Sequence, residues 1–89
     1  MGDPSSDGGQ VRVLFFSGAR EACGLAEAMV ACPSGMRIGD LLEELVRRHA
    51  GLAPLRGQVR LARNGEFARM DEGVFPGDEV ALIPPVSGG

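Results

Sequence analysis

Apolar and polar residues follow two rhythms along this chain, and the changes between them mark its elements. Residues 11–16 (Val-Arg-Val-Leu-Phe-Phe) are β-branched and aromatic, which predicts a strand. Period-two alternation puts Val11, Val13 and Phe15 on one face and Arg12, Leu14 and Phe16 on the other. Both faces are largely apolar, so the strand belongs inside a sheet, one side on the core and the other open to a partner. Ser17-Gly18 breaks it, and Ala19 to Cys23 reads as a helical turn stopped by Gly24. Leu25 to Ala31 alternates more weakly and predicts a second strand, hairpinned to the first and ended by Pro33-Ser34-Gly35.

The rhythm then changes to three and four. Ile38, Leu41, Leu42, Leu45, Val46 and His49 form an apolar stripe that predicts a helix over 38–49. Glu43 with Arg47 and Glu44 with Arg48 are i,i+4 pairs in the favourable order. Gly51 is expected at C′, while Arg37 is a poor N-cap residue. Leu52 to Leu55 reads as a turn capping the core, and Val59 to Ala62 as a strand. Asn64-Gly65 is a strong hairpin signal that returns Phe67-Ala68 as a short strand. Two turns, Asp71-Glu72-Gly73 and Pro76-Gly77-Asp78, bracket Phe75, which is expected to anchor the core. In the last strand, Glu79 to Ile83, Val80 and Leu82 face the core while Glu79, Ala81 and Ile83 face outward.

Ile83 then joins Leu14 and Phe16 as an outward apolar patch, read as a docking surface. For Phe16 a second reading stands, in which a bulge resets the parity and the ring is core.

Composition narrows the function classes. At 89 residues and 44% apolar, the chain makes one small folded domain over 10–83. A flexible leader is expected over 1–9 and an extended tail over 84–89. A net charge of −3 with nine scattered arginines argues against a nucleic-acid surface. No apolar run approaches the roughly 18 residues of a membrane span, so a cytosolic protein with no membrane partner is expected. The chain has no lysine, hence no side-chain amine for Schiff-base chemistry or isopeptide polymers. Cys23 and Cys32 lack zinc-type spacing and read as reduced thiols. His49, the only histidine, has no Ser, Cys or carboxylate placed to work with it and reads as structural. No metal site and no directly bound cofactor are expected.

The remaining chemistry lies in Pro84-Pro85-Val86-Ser87-Gly88-Gly89. Two prolines hold the backbone extended, and two residues without side chains precede the terminal carboxylate. Six extended residues at roughly 3.1–3.4 Å each reach about 20 Å, far enough to enter a partner's pocket. A frayed end is the other reading of the same residues.

The order β-β-α-β-β-β, with one main helix across a mixed sheet of four or five strands, is an α+β arrangement of the β-grasp, or ubiquitin-like, kind. Val13 to Phe16, Ala19-Arg20-Glu21, Arg48 to Leu52, Gly77 to Val80 and above all the terminal Pro-Pro-Val-Ser-Gly-Gly resemble the small, sulfur-carrying subunit of molybdopterin synthase, of the MoaD/ThiS-type ubiquitin-like family. The resemblance spans Val11 to Gly89. It implies that an ATP-dependent, E1-like activating enzyme adenylates Gly89, that a sulfur donor converts the adenylate to a thiocarboxylate, and that the large synthase subunit receives the tail. Sulfur would then pass to cyclic pyranopterin monophosphate to build the dithiolene, within a two-plus-two heterotetramer. The chain would be a non-catalytic carrier, a sulfurtransferase only in complex with the large subunit. Gly89 and Gly88 are the implied reactive end, and Phe16, Ile83, Pro84, Pro85, Val86 and Ser87 the implied partner contacts. A Gly-Gly end is shared with the thiamine-pathway carrier and with ubiquitin-like modifiers, and these stay open as alternatives.

Overall fold

The first apolar run becomes β1 (Gln10–Phe15), with Val11, Val13 and Phe15 buried, Arg12 exposed and Leu14 half-buried. This computed structural model describes residues 9–85; residues 1–8 of the expected leader and Val86, Ser87, Gly88 and Gly89 of the expected tail lie outside the described residues. Phe16 follows β1 as the N-cap of α1 (Ser17–Cys23), in extended conformation. Gly24, at φ 73°, ends α1 as expected, since a left-handed cap is cheapest without a Cβ. β2 (Glu27–Ala31) begins two residues later than the sequence suggests and pairs antiparallel with β1, turning Ala28 and Val30 inward.

The helical stripe folds as α2 (Ile38–Arg48), with Ile38, Leu41, Leu42 and Leu45 buried. Its weak start is compensated by tertiary contacts. The Ile38 and Gly39 N–H groups donate to the carbonyls of Glu72 and Met70, both at 2.8 Å, and Asp40 accepts from the Arg37 N–H at 3.0 Å. These bonds satisfy donors that a helix N-terminus leaves without intrahelical partners.

Two local expectations at the other end are corrected. Glu44 holds both Arg47 and Arg48, the latter at 2.8 Å, while Glu43 reaches across to Arg56 rather than to Arg47. Gly51 is not the helix cap: His49 breaks the helix at φ −127°, ψ 89°, and Gly51 lies in a 3-10 helix (Ala50–Leu55). A Cβ there would stand 2.7 Å from the carbonyl oxygen of Ala22, so close approach to α1 requires the glycine. His49 packs edge-on against Phe15, with ring centroids 5.9 Å apart.

β3 (Arg60–Arg63) and β4 (Glu66–Ala68) form the hairpin expected at Asn64-Gly65, both turn residues having positive φ as a type I′ turn requires. Phe75 is 64% exposed and does not anchor the core; Val74 does. The Val74 N–H donates to Met36 at 2.9 Å, which turns residue 74 inward. The Phe75 carbonyl accepts from the Asp78 N–H at 3.0 Å across Pro76-Gly77, with Gly77 at φ 92°, and this tight turn leaves the ring outside.

β5 (Glu79–Ile83) completes a five-stranded mixed sheet ordered β2-β1-β5-β3-β4. β5 runs parallel to β1 and antiparallel to β3, with Leu82 beside Phe15 on one side and Leu61 on the other. The core lies between this sheet and α2, built from Val11, Val13, Phe15, Val30, Ile38, Leu41, Leu45, Leu61, Val80 and Leu82. The fold is the expected β-grasp.

Candidate functional site

The central position of β5 decides where the tail begins. A strand flanked on both sides delivers its C-terminal end to the middle of one sheet edge, between the end of β1 and the start of β3. The Phe16 N–H still bonds the Leu82 carbonyl at 3.4 Å, so Phe16 stands beside Ile83. Pro84 is buried in the body and Pro85 is exposed, so the first residue of the expected tail belongs to the domain. Val86, Ser87, Gly88 and Gly89 are outside the described residues.

The outer face carries the expected patch. Phe16 is 46% exposed, which removes the reading in which it is core; Leu14 and Ile83 are half-buried. The patch is wider than the sequence suggested, because register adds the β3–β4 hairpin. Leu14 pairs with Ala81, Ala81 with Ala62, and Ala62 with Phe67, so one row crosses four strands on the face away from α2. Phe67 is 56% exposed, and the Arg60 guanidinium lies over its ring, 4.0 Å from the centroid. Arg60 is also the cross-strand partner of Ile83 at the root of the tail. Sequence reasoning missed Phe67 and Arg60. The signal was available in the two-residue Asn64-Gly65 turn, which fixes the register of the hairpin and so the face that residue 67 shares.

The lower part of this face is charged: Arg12 bonds Glu27 at 3.0 Å and lies 3.7 Å from Glu79. An apolar band with a cation at the tail root and ion pairs beyond can hold another protein in one orientation, since apolar area supplies affinity and charge supplies register.

The remaining candidate chemistry is structural. Cys32 is buried and its Sγ donates to the Val74 carbonyl at 3.5 Å. Burial pushes its thiol up, with the Asp78 carboxylate adding to the effect, and burial likewise raises Cys23, so neither is poised as a thiolate nucleophile. Among the described residues, no three His, Cys, Asp or Glu side chains gather as a metal site, and no helix is long and apolar enough to cross a membrane.

Four similarities to known proteins bear on this arrangement. The ThiS family model matches residues 13–89. The molybdopterin synthase sulfur carrier subunit of Homo sapiens is 36% identical over 83 residues, covering 90% of this chain and 94% of that protein. The crystal structure of small archaeal modifier protein 1 from Haloferax volcanii superposes with a TM-score of 0.82 at 32% identity, covering 91% of this chain and 100% of the other. A Helicobacter pylori structure, a complex of subunits 1 and 2 of molybdopterin-converting factor, superposes with a TM-score of 0.63 at 22% identity over 90% of this chain and 99% of the matched one.

Proposed function

Because this chain belongs to the ThiS family, we propose that it is the sulfur carrier of molybdenum cofactor biosynthesis and that its reactive group is the carboxylate of Gly89. The observation that carries the reading is the 36% identity, over nearly the whole chain, to a molybdopterin synthase sulfur carrier subunit. The Pro-Pro-Val-Ser-Gly-Gly segment, continuing from a central strand, supports the choice of Gly89.

The chemistry accounts for the residue types. A carboxylate is a poor electrophile. An activating enzyme joins a Gly89 oxygen to the α-phosphorus of ATP and releases pyrophosphate, which makes the carbonyl carbon attackable. The outer sulfur of a persulfide donor attacks that carbon and AMP leaves; a second thiol then attacks the donor's inner sulfur, the S–S bond breaks, and the donor departs as a disulfide, leaving the thiocarboxylate on Gly89. In the large synthase subunit the thiocarboxylate sulfur bonds a side-chain carbon of cyclic pyranopterin monophosphate and displaces an oxygen substituent, giving a thioester; water then cleaves the acyl carbon–sulfur bond, which restores the Gly89 carboxylate and leaves the sulfur on the pterin. Other proteins' groups must close around the carbonyl at each step, and a Cβ at Gly88 or Gly89 would stand in their way. Fixing each glycine costs roughly 1–2 kcal/mol of backbone entropy, and the prolines confine that cost to the end of the tail. A dithiolene contains two sulfurs, so the carrier is reloaded or two carriers act, in keeping with a two-plus-two assembly.

Phe16, Ile83 and Phe67 form the docking patch for the large subunit, with Pro85, Val86 and Ser87 leading the tail into it. Ile83→Asp is expected to weaken binding to that subunit about tenfold or more, or ~1.4 kcal/mol, because it places a carboxylate in the apolar patch at the root of the tail. Titration calorimetry set beside thermal melts checks this: the affinity loss should exceed the stability loss, and unchanged affinity would refute the patch.

Intact-mass measurement of protein purified from its own cells tests the function itself. Replacement of one terminal oxygen by sulfur supports the carrier. A second reading, protein modification, is favoured by the likeness to small archaeal modifier protein 1. In that case Gly89 would be found in amide linkage to lysines of other proteins. The adducts would carry no lysine-linked chains of this protein, because it offers no lysine for a second round.

A further inference from the structure

Six arginines, Arg12, Arg47, Arg48, Arg56, Arg63 and Arg69, are ion-paired to carboxylates among the described residues. Arg60 is not among them. It lies on the apolar outer face, its guanidinium stacked on Phe67 at 4.0 Å, and its cross-strand neighbour Ile83 precedes the tail. The ring holds one face of the guanidinium, and among the described residues no carboxylate pairs with it.

A partner that receives the tail must close around its root, and a standard interface of roughly 800 Å² per side covers Arg60 when it does. Burying a cation without a counter-charge is expensive, whereas a planar guanidinium meets a carboxylate through two parallel bonds. We infer that the large subunit presents a carboxylate to Arg60 at the mouth of the channel that admits the tail. Apolar contact at Phe16, Ile83 and Phe67 then supplies affinity, and the Arg60 pair sets the angle at which the tail enters. This rests on the sulfur-carrier reading above, which supplies the large subunit as the occupant.

Arg60→Met separates charge from packing, because it keeps an unbranched stem over Phe67 while removing the cation. Titration calorimetry of the full chain against the large subunit from the same organism, at low and high salt, should show Arg60→Met binding about tenfold more weakly or worse, with a flattened salt dependence. Arg60→Lys should restore the salt dependence, and all three chains should melt alike. Equal or tighter binding by Arg60→Met overturns the inference while leaving the carrier reading intact. Concentration-dependent dimers of the chain alone that Phe67→Asp abolishes also overturn it, since a second copy would then cover the face. A wild-type chain that does not bind the large subunit at all defeats both the carrier reading and the inference built on it.

Discussion

Deleting Gly89 is expected to reduce dithiolene synthesis in the reconstituted synthase to background while leaving the melting temperature unchanged. Both halves follow from where the residues stand. Among the described residues the buried core runs from Val11 to Leu82, and Gly89 has no side chain to contribute to it, so the deletion is expected to leave that core intact. Surface changes away from core and caps usually stay within about 0.5 kcal/mol. Function responds differently, because shortening the tail by one residue withdraws the carboxylate by roughly 3.3 Å. Misplacement of about 1 Å can already cost on the order of a hundredfold in rate. Gly89→Ala keeps the length and adds one methyl group beside the reacting carbon, so it isolates the steric requirement from reach. Near wild-type product from either variant would sink the assignment of Gly89 as the sulfur-bearing residue.

Leu82→Ala should have the largest effect on stability. Leu82 is fully buried in the central strand, between Phe15 of β1 and Leu61 of β3. Truncating such a leucine costs about 2–5 kcal/mol, from lost transfer energy and from the cavity left behind. A domain this small has a total stability near the low end of roughly 5–15 kcal/mol, so the variant would lose much of it. The melting temperature should fall by at least about 8 °C. Thermal unfolding followed by circular dichroism measures this, and a loss under about 1 kcal/mol would show that the core can collapse around the gap. Synthase activity should fall with the folded fraction and recover on cooling, unlike that of the Gly89 variants.

Periodicity carried most of the secondary structure. The parity of the first and last strands was legible because every core-facing position in them is apolar: Val11, Val13 and Phe15 in one, Val80 and Leu82 in the other. The stripe from Ile38 to Leu45 was legible for the same reason. Failures fell where a residue's role depends on a distant segment. Gly51 matched a helix-cap pattern but is required by the carbonyl of Ala22. Phe75 looked like core by its chemistry, yet the bond from Val74 to Met36 assigned the inward position to its neighbour. Arg37 was a poor cap because the acceptors for the helix start come from Met70 and Glu72.

What the sequence by itself determined is therefore the set of elements, the core faces of the first and last strands and the composition of the tail. Each depends on side-chain type at fixed local spacing, which backbone geometry translates directly into direction. Only the tertiary structure decided that β5 is central, that Pro84 belongs to the body, and that Phe67 and Arg60 join Phe16 and Ile83 on one face. Strand order and register are set by pairings between segments far apart in the chain, and local spacing does not encode which pairing buries the most apolar surface.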